Sequence, residues 1–258
     1  MSASIALDGV RLRYGEQAVL DRLDLHVGSG EVLAVLGPSG SGKTSVLRAV
    51  LGFAVPEAGT VRVGERAVTA GGRIVVPPED RDLAVVFQDL ALWPHLSVAG
   101  NLAFGLEARR VPPREREARV SRMLERVGLA GAERRYPGEL SGGQRQRVAI
   151  ARALVLEPRA VLLDEPLANV DVDLSREMLS LLRGLFRERG TTAVYVTHDL
   201  REASALAERF AVLEAGRVVQ QGRLEELRRS PATPFVRSLL DDLAAGGPID
   251  VRTKEQGG

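Results

Sequence analysis

The residues best suited to chemistry lie in two glycine-rich turns, about a hundred residues apart in a chain of 258 residues. The first turn reads Gly37-Pro-Ser-Gly-Ser-Gly-Lys-Thr44, and the second reads Leu140-Ser-Gly-Gly-Gln144. Glycines let backbone N–H groups converge on phosphate oxygens, and a helix that begins at such a turn presents its positive end to them. Each turn therefore predicts phosphate binding, although one nucleotide does not obviously need two turns.

The first turn fits the pattern G-x-x-x-x-G-K-[ST], the P-loop. An apolar strand, Val32–Leu36, precedes it, and we expect a helix over Lys43–Leu51 to follow it, as the motif requires. Lys43 would contact the β- and γ-phosphates, and the Thr44 hydroxyl would bind Mg²⁺. The alternative is a Gly/Ser-rich loop that only caps a helix. The nucleotide-binding residues predicted here are Gly37, Pro38, Ser39, Gly40, Ser41, Gly42, Lys43, Thr44 and Ser45.

Two adjacent acids, Asp164 and Glu165, follow the apolar strand Ala160–Leu163. In a P-loop nucleotide site, Asp164 would hold Mg²⁺ directly or through water, and Glu165 would polarise the water that attacks the γ-phosphate. Neighbouring carboxylates repel each other unless a cation lies near them, and a metal–nucleotide complex supplies one. The alternative is a solvated acid pair at a strand end.

His198 follows another buried strand, Ala193–Thr197. Gly37, Asp164 and His198 would then all lie beyond the carboxyl ends of parallel strands, where α/β sheets bind ligands. His198 could hydrogen-bond the γ-phosphate and orient the attacking water. A lone histidine is otherwise most often a structural residue.

The secondary structure that must position these residues is predicted to differ between the beginning, the middle and the end of the chain. Ile5–Arg13 and Val19–Val27 alternate apolar and polar residues, which predicts antiparallel strands. A helical insert is predicted between about residues 89 and 156, with helices over Arg114–Val127 and Gln144–Leu156. Strands and helices then alternate, which predicts a largely parallel sheet. We expect an α/β fold comprising one domain over residues 1–242, with a flexible tail over 243–258.

The second turn opens the helix that begins near Gln144. Ser141 is a good N-cap, and Gly142 and Gly143 free backbone N–H groups. The alternative is an ordinary capped helix. Nothing in the spacing of the two turns says whether they meet the same nucleotide.

The composition excludes several other classes of protein. Hydrophobic residues make up 45% of the chain and the formal net charge is +1, which argues against an electrostatic nucleic-acid binder. The absence of cysteine excludes disulfide scaffolds, zinc–cysteine sites and cysteine nucleophiles. No apolar run approaches the roughly 18 residues of a membrane span, and no signal peptide is visible. Work at a membrane would therefore need a second chain.

The ordered set of motifs resembles that of the ATP-binding subunits of ABC transporters along nearly the whole chain. These motifs are Gly37–Thr44 as Walker A, Val86–Gln88 as Q-loop, Leu140, Ser141, Gly142, Gly143 and Gln144 as signature, Leu162–Pro166 as Walker B, and His198 as switch histidine. The resemblance implies a RecA-like P-loop NTPase core, ATP and Mg²⁺ as ligands, and ATP hydrolysis with Glu165, His198, Gln88 and Lys43 as catalytic residues. It also implies that Tyr14 stacks on adenine, the alternative being a strand-edge core tyrosine, and that Gln88 is a Mg²⁺ ligand beside Thr44 and Asp164.

The resemblance also explains why one chain carries two phosphate-binding turns. In this family, two subunits pack head to tail, and the signature of each closes over the ATP held by the other. It implies a homodimer in which Asp171 lies near the partner's ATP. Ala168-Asn169-Val170 departs from the family, where Ser and Leu are common at the first and third positions. We expect this departure to alter hydrogen bonds across the dimer without abolishing activity.

The stretches Val86–Gly105 and Tyr136–Ala153 resemble importers of the iron, polyamine, sulfate and sugar class. This resemblance implies a separate membrane permease, an indirect solute-binding partner and a location at the cytoplasmic face of the membrane. Leu90, Leu92, Trp93 and Leu96 could receive a helix of the permease or simply pack in the insert. The stretch after Gly222 is short, so we expect no β-rich C-terminal regulatory domain. The alternatives are an exporter ATPase subunit, a non-transport ABC ATPase or a nucleotide-dependent module without turnover.

Overall fold

A computed structural model describes residues 2–168 and 170–246 and contains two β-sheets flanked by helices. Eleven strands are assigned in this part of the chain. They are β1 (Ile5–Tyr14), β2 (Gln17–Val27), β3 (Val32–Leu36), β4 (Ala58–Val63), β5 (Arg66–Ala70), β6 (Arg73–Ile74), β7 (Leu83–Val86), β8 (Ala160–Asp164), β9 (Thr192–Val196), β10 (Arg209–Glu214) and β11 (Arg217–Gly222).

The six-stranded sheet has the order β11-β10-β3-β9-β8-β7. All neighbouring pairs from β10 to β7 are parallel, and only β11 pairs antiparallel, with β10. The central strands β3, β8 and β9 read as nearly unbroken apolar runs because both faces of this sheet are buried, one under helices and the other largely under the second sheet. The second sheet, β2-β1-β4-β5-β6, is wholly antiparallel. The predicted α/β fold with an antiparallel N-terminal part is confirmed.

Eight α-helices surround the two sheets within the described residues. They are α1 (Lys43–Leu51), α2 (Val98–Ala108), α3 (Pro113–Arg126), α4 (Gly142–Leu154), α5 (Val172–Arg189), α6 (Leu200–Leu206), α7 (Leu224–Arg229) and α8 (Pro234–Gly246). None of these helices has the length and apolar content needed to cross a membrane.

Three hydrophobic clusters hold these layers together. One joins α2, α3, α4 and α5 to one face of the parallel sheet. A second fills the space between the two sheets and around α1, and a third lies under α6, α7 and α8. The helical insert therefore shares a continuous core with the nucleotide-binding sheet, so its elements are positioned relative to that sheet by packing.

Arg81 ties the antiparallel sheet to the end of α1. Its side chain is 2% exposed and donates to the carbonyl oxygens of Ala49 and Val50 at 3.2 and 2.7 Å, and to Thr69 Oγ1 at 2.8 Å. Burial lowers the pKa of Arg81 to about 10, so the guanidinium remains charged at neutral pH. It thereby places a cation on the last carbonyls of α1, where the helix dipole favours one.

The chain continues in regular structure beyond residue 242, where the sequence predicts a flexible tail. Helix α8 extends to Gly246, and Leu243 is buried in the third cluster. The apolar spacing of Val236, Leu239 and Leu240 continues to Leu243, which explains why the helix does not end earlier. Residues 243–246 are thus part of the fold, and the rest of the predicted tail, 247–258, lies outside the described residues.

Candidate functional site

The strand order of the parallel sheet explains which residues meet. Moving across the sheet, β3 is followed by β9, β8 and β7, and the carboxyl ends of all four strands lie at one edge. Gly37 follows β3, His198 follows β9, Asp164 ends β8 and Gln88 follows β7. Four sequence motifs that are far apart along the chain therefore converge on one edge.

The phosphate-binding turn is a tight cradle formed by backbone. Gly40 and Gly42 adopt φ values of 76° and 106°, in the left-handed region that favours glycine. A Cβ atom at Gly37 would lie 2.3 Å from the Leu213 carbonyl oxygen and 2.6 Å from Ser41 Oγ. Ser41 Oγ is buried and has no hydrogen-bond partner among the described residues. Since buried polar atoms are normally paired, this hydroxyl fits a phosphate oxygen held by the turn.

Glu165 lies between the P-loop lysine and the histidine. Its Oε1 atom is 3.8 Å from Lys43 Nζ, and its Oε2 atom is 3.3 Å from His198 Nδ1. Lys43 also donates to the carbonyl oxygens of Gly37 and Pro38 at 2.9 and 3.2 Å. Lys43 is buried, whereas His198 is 67% exposed and can face a reactant from solvent. Three of the four side chains predicted to be catalytic are therefore neighbours, whereas the fourth, Gln88, lines the groove of the signature turn.

The backbone at Glu165 is constrained. Its φ is 43°, which is unusual for a residue with a side chain, and its N–H donates to the Val196 carbonyl oxygen at 3.0 Å. That hydrogen bond ties the residue after β8 to the end of β9. The strained conformation is one observed commonly at functional sites, and here it directs the carboxylate toward Lys43 and His198.

Thr44 and Asp164 form an oxygen pair beside this group. Thr44 Oγ1 donates to Asp164 Oδ1 at 3.0 Å. Burial raises the pKa of Asp164, and the adjacent Glu165 raises it further, while the hydrogen bond from Thr44 opposes the shift. A hydroxyl and a carboxylate are ligands that Mg²⁺ accepts, together with phosphate oxygens and water. Residues 2–168 and 170–246 contain no group of three or more His, Cys, Asp or Glu side chains placed to hold a metal ion.

A second carboxylate lies behind the histidine, and the sequence gives no indication of its role. Glu202 Oε2 accepts hydrogen bonds from Tyr195 Oη and Thr197 Oγ1, both at 3.0 Å. Thr197 Oγ1 in turn accepts from the N–H of Asp199 at 3.1 Å. Burial raises the pKa of Glu202. The two residues that flank His198 are thus held by a partly buried network that joins β9 to α6.

The signature turn caps α4 in the way that the sequence predicts. Ser141 Oγ accepts from the Gln144 N–H at 3.2 Å, and Gln144 Oε1 accepts from the Ser141 N–H at 3.0 Å, which is a capping box. The Ser141 hydroxyl still has its own proton to donate. A Cβ atom at Gly143 would lie 2.8 Å from Leu174, so this glycine permits close packing against α5.

The signature turn does not share a pocket with the chain's own P-loop. It lines a groove of about 600 Å³ together with Gln88 and Asp171, and no residue of Gly37–Thr44 lines that groove. Asp171 Oδ1 caps α5 by accepting from the Leu174 N–H at 2.9 Å. Asn169, in the predicted departure from the family, lies outside the described residues.

Tyr14 and Gln88 are both exposed. Tyr14 ends β1 and is 46% exposed. The neighbouring strand β2 approaches the P-loop, since a Cβ atom at Gly42 would lie 2.9 Å from the Val19 carbonyl oxygen. Gln88 lies in the groove with the signature turn, and within the described residues no hydrogen bond joins it to Thr44 or Asp164.

The family profile and the similar proteins found for this chain all belong to one family. The sequence profile described as ABC transporter matches residues 20–168, more than half of the chain. A spermidine/putrescine import ATP-binding protein of Acidothermus cellulolyticus is 48% identical over 88% of this chain and 58% of its own length. An Fe(3+) ions import ATP-binding protein of Streptomyces avermitilis is 47% identical over 92% and 67%, respectively. A sulfate/thiosulfate import ATP-binding protein of Mycobacterium bovis is 44% identical over 93% and 67%.

The chain thus spans between 58% and 67% of the length of these three relatives. The alignments include all the motifs described above because they cover nearly nine tenths of this chain or more. They leave part of each relative without a counterpart here.

Proposed function

Because this chain belongs to the ABC transporter family, we propose that it binds ATP at Gly37–Thr44 and hydrolyses it to power solute import through a separate membrane permease. The observation that carries the hydrolytic part is the position of the Glu165 carboxylate between Lys43 and His198, at 3.8 and 3.3 Å. A site that only bound a nucleotide would not need an acid and a histidine next to the phosphate-binding lysine.

The cradle supports ATP as the ligand. Lys43 is buried and positively charged, and the unpaired Ser41 hydroxyl lies in the same turn. The N-terminus of α1 adds the positive end of a nine-residue helix. Together these groups neutralise the phosphates, while Tyr14 supplies an exposed aromatic ring for adenine.

The chain's own residues divide the hydrolytic work. Glu165 accepts a hydrogen bond from the attacking water and takes its proton as the water oxygen bonds to the γ-phosphorus. The bond from that phosphorus to the β–γ bridging oxygen breaks, and ADP leaves with the electron pair. Lys43 stabilises the charge that develops on the transferred phosphoryl group, and His198 donates a hydrogen bond to the γ-phosphate oxygen. Thr44 and Asp164, with Gln88 brought in on ATP binding, would hold Mg²⁺, and the metal would supply positive charge to offset the negative charge of the phosphates.

A head-to-tail homodimer gives the second turn a function. The N-terminus of α4 and Ser141 line a groove that no residue of Gly37–Thr44 lines, and a phosphate of the partner's ATP fits this helix N-terminus. ATP then bridges the two chains, so it binds the closed dimer more tightly than the open pair and shifts the equilibrium toward closure. Hydrolysis removes this bridge and reopens the dimer.

Import is favoured over the alternatives because the relatives named above are import proteins. We propose that closure of the dimer moves a permease at the cytoplasmic face of the membrane, and that a solute-binding protein delivers the solute to that permease. We propose that Trp93 and Leu96, with Leu90 and Leu92, form the surface that receives a helix of the permease. Leu90 and Leu92 are partly buried against the core of the insert, so packing accounts for part of their apolar character.

The proposed hydrolysis is tested by phosphate release with Mg²⁺ and ATP. The Glu165→Gln variant keeps the size of the side chain and removes the base, so turnover should fall by about 10²–10⁴-fold while ATP still binds. Lys43→Ala serves as the control for lost binding. If Glu165→Gln turned over ATP at the wild-type rate, Glu165 would not be the base and the mechanism would be wrong.

A further inference from the structure

Arg152 connects the signature helix to the segment that follows Gln88. It lies in the last turn of α4, and its guanidinium donates to the carbonyl oxygens of Leu90 at 2.8 Å and Ala91 at 2.5 Å. These carbonyls belong to a different part of the chain, about sixty residues earlier. The contact therefore joins the helix that begins at the signature turn to the segment just after Gln88.

The two carbonyls belong to a strained segment. Leu90 and Ala91 have φ values of 60° and 44°, in the left-handed region that residues with a side chain rarely adopt. Such a conformation persists only where surrounding contacts hold it. Arg152 supplies two of those contacts, and its planar fork matches two neighbouring acceptors, which a lysine cannot do.

The same guanidinium also covers the face of Trp93. The central carbon of the Arg152 guanidinium lies 4.9 Å from the ring centroid, within the range of a cation–π interaction. Trp93 packs against Phe104, with centroids 4.5 Å apart, and Phe104 is half exposed. The Trp93 backbone is held by Asn101 of α2, whose Oδ1 accepts from the Trp93 N–H at 2.9 Å. Burial lowers the pKa of Arg152, and Asp89 opposes that shift.

We propose that Arg152 is a positioning residue that makes Gln88, the signature helix and the Trp93–Phe104 pair respond to ATP as one unit. This inference rests on the proposed function of Gln88 and Ser141 at the nucleotide. Helix α4 begins at the signature turn and carries Arg152 roughly 15 Å along its axis. A displacement at either nucleotide-contacting motif thus reaches Trp93 and the half-exposed Phe104 through α4 and the contacts of Arg152.

The chain provides its own reporter, since Trp93 is its single tryptophan. We would measure Trp93 emission and binding of radiolabelled ATP in the same samples, with Mg²⁺, in the Glu165→Gln background, in which ATP persists. The variants are Arg152→Met and Arg152→Lys. Arg109→Met is the matched control, because Arg109 also lies in the insert and donates to a backbone carbonyl, that of Leu156 at 2.9 Å.

We expect ATP to change Trp93 emission in the parent protein and in Arg109→Met. Arg152→Met should bind ATP within about twofold of the parent affinity but lose most of the ATP-dependent change in emission. Arg152→Lys keeps the charge and loses the bidentate contact, so it should retain a smaller change than the parent. A residue that only stabilised the fold would lower the melting temperature without uncoupling emission from binding.

Two results would overturn the inference while leaving the proposed function intact: Arg152 variants that keep the full ATP-dependent change, or a parent protein that binds ATP with no change at Trp93. If Arg152→Met fails to fold, the comparison of Arg152→Lys with Arg109→Met decides. A parent protein that does not bind ATP would overturn the proposed function, and this inference with it.

Discussion

The side chains of Glu165 and His198 approach within 3.3 Å although 33 residues separate them in the sequence. They meet because β8 and β9 are adjacent parallel strands and each residue follows the end of one of them. The pairing therefore depends on sheet topology more than on local sequence. Substitutions around this pair should distinguish the residues that take part in the reaction from those that position them.

The Glu202 network should matter for turnover without contacting ATP. Replacing Glu202 with Ala frees Tyr195 and Thr197 from their shared acceptor, so the segment carrying His198 loses its support. We expect turnover to fall by roughly tenfold, or about 1.4 kcal/mol in the barrier, with an unchanged ATP dissociation constant. Glu202→Gln retains one acceptor oxygen, so its turnover should lie between that of the parent protein and that of Glu202→Ala. Glu208→Ala, at an exposed site, is the control, and equal rates for both Ala variants would contradict the prediction.

The raised pKa of Asp164 predicts how stability without nucleotide depends on pH. The folded protein holds this proton at a higher pH than the unfolded chain, so stability falls as pH rises through the window between the two pKa values. Asp164→Asn has no carboxyl group to titrate at this position, so it removes this loss of stability with rising pH. Thermal unfolding from about pH 4 to about pH 8 should therefore show the variant gaining over the parent as pH rises. The same variant should lose Mg²⁺-dependent turnover. A stability difference that is constant with pH would argue against a raised pKa.

The P-loop should not tolerate a single added methyl group at Gly37. The new Cβ would lie 2.3 Å from the Leu213 carbonyl oxygen, so the turn must shift and ATP binding should weaken strongly. Gly184→Ala is the matched control, because Gly184 lies in α5 with nothing within 4 Å of its added Cβ. That change should stabilise the protein by about 1 kcal/mol through helix propensity. Equal ATP affinity in Gly37→Ala and the parent protein, by equilibrium dialysis, would contradict the tight cradle.

The signature serine should be needed for closure of the dimer and not for binding of ATP by the chain that carries it. In the Glu165→Gln background, Ser141→Arg should bind ATP but remain monomeric by light scattering, because the long cation blocks the helix N-terminus. Ser141→Ala controls for the lost cap; it should cost about 1 kcal/mol of stability yet still dimerise with ATP. An ATP-driven dimer of Ser141→Arg would refute the assignment of this turn to a partner's nucleotide.

The sequence predicted the elements whose apolar pattern is set by burial on both faces. Val32–Leu36 and the helix Lys43–Leu51 have the predicted bounds, and the strands before Glu165 and His198 differ by one residue. It did not delimit β7, whose Leu83 and Val85 are only partly buried at the sheet edge. It also did not delimit α2, which contains two glycines. The boundary placed at residue 242 lies inside α8, because glycine and alanine in the last turn obscure the burial of Leu243.

In the candidate site, the sequence likewise predicted the residues of contiguous motifs and missed the contacts between segments that are far apart in the sequence. The P-loop and the strand-end acids were predictable because each motif is contiguous. The contacts of Glu202 and Arg152 were not, because they depend on how α6 packs against β9 and how α4 crosses the segment after β7. The clash that excludes a side chain at Gly37 likewise involves Leu213 of β10, which is adjacent to β3 in the sheet but far from it in the sequence.

The dependence of each ATP site on two chains is tested most directly by mixing two inactive variants, Lys43→Ala and Ser141→Arg, and measuring phosphate release. In a head-to-tail dimer, a mixed pair has one intact site, formed by the P-loop of the Ser141→Arg chain and the signature of the Lys43→Ala chain. Each mixed dimer keeps one of its two sites, so it should turn over ATP at about half the wild-type rate per dimer if the sites act independently. A mixture no more active than the two variants measured separately would contradict sites shared between chains.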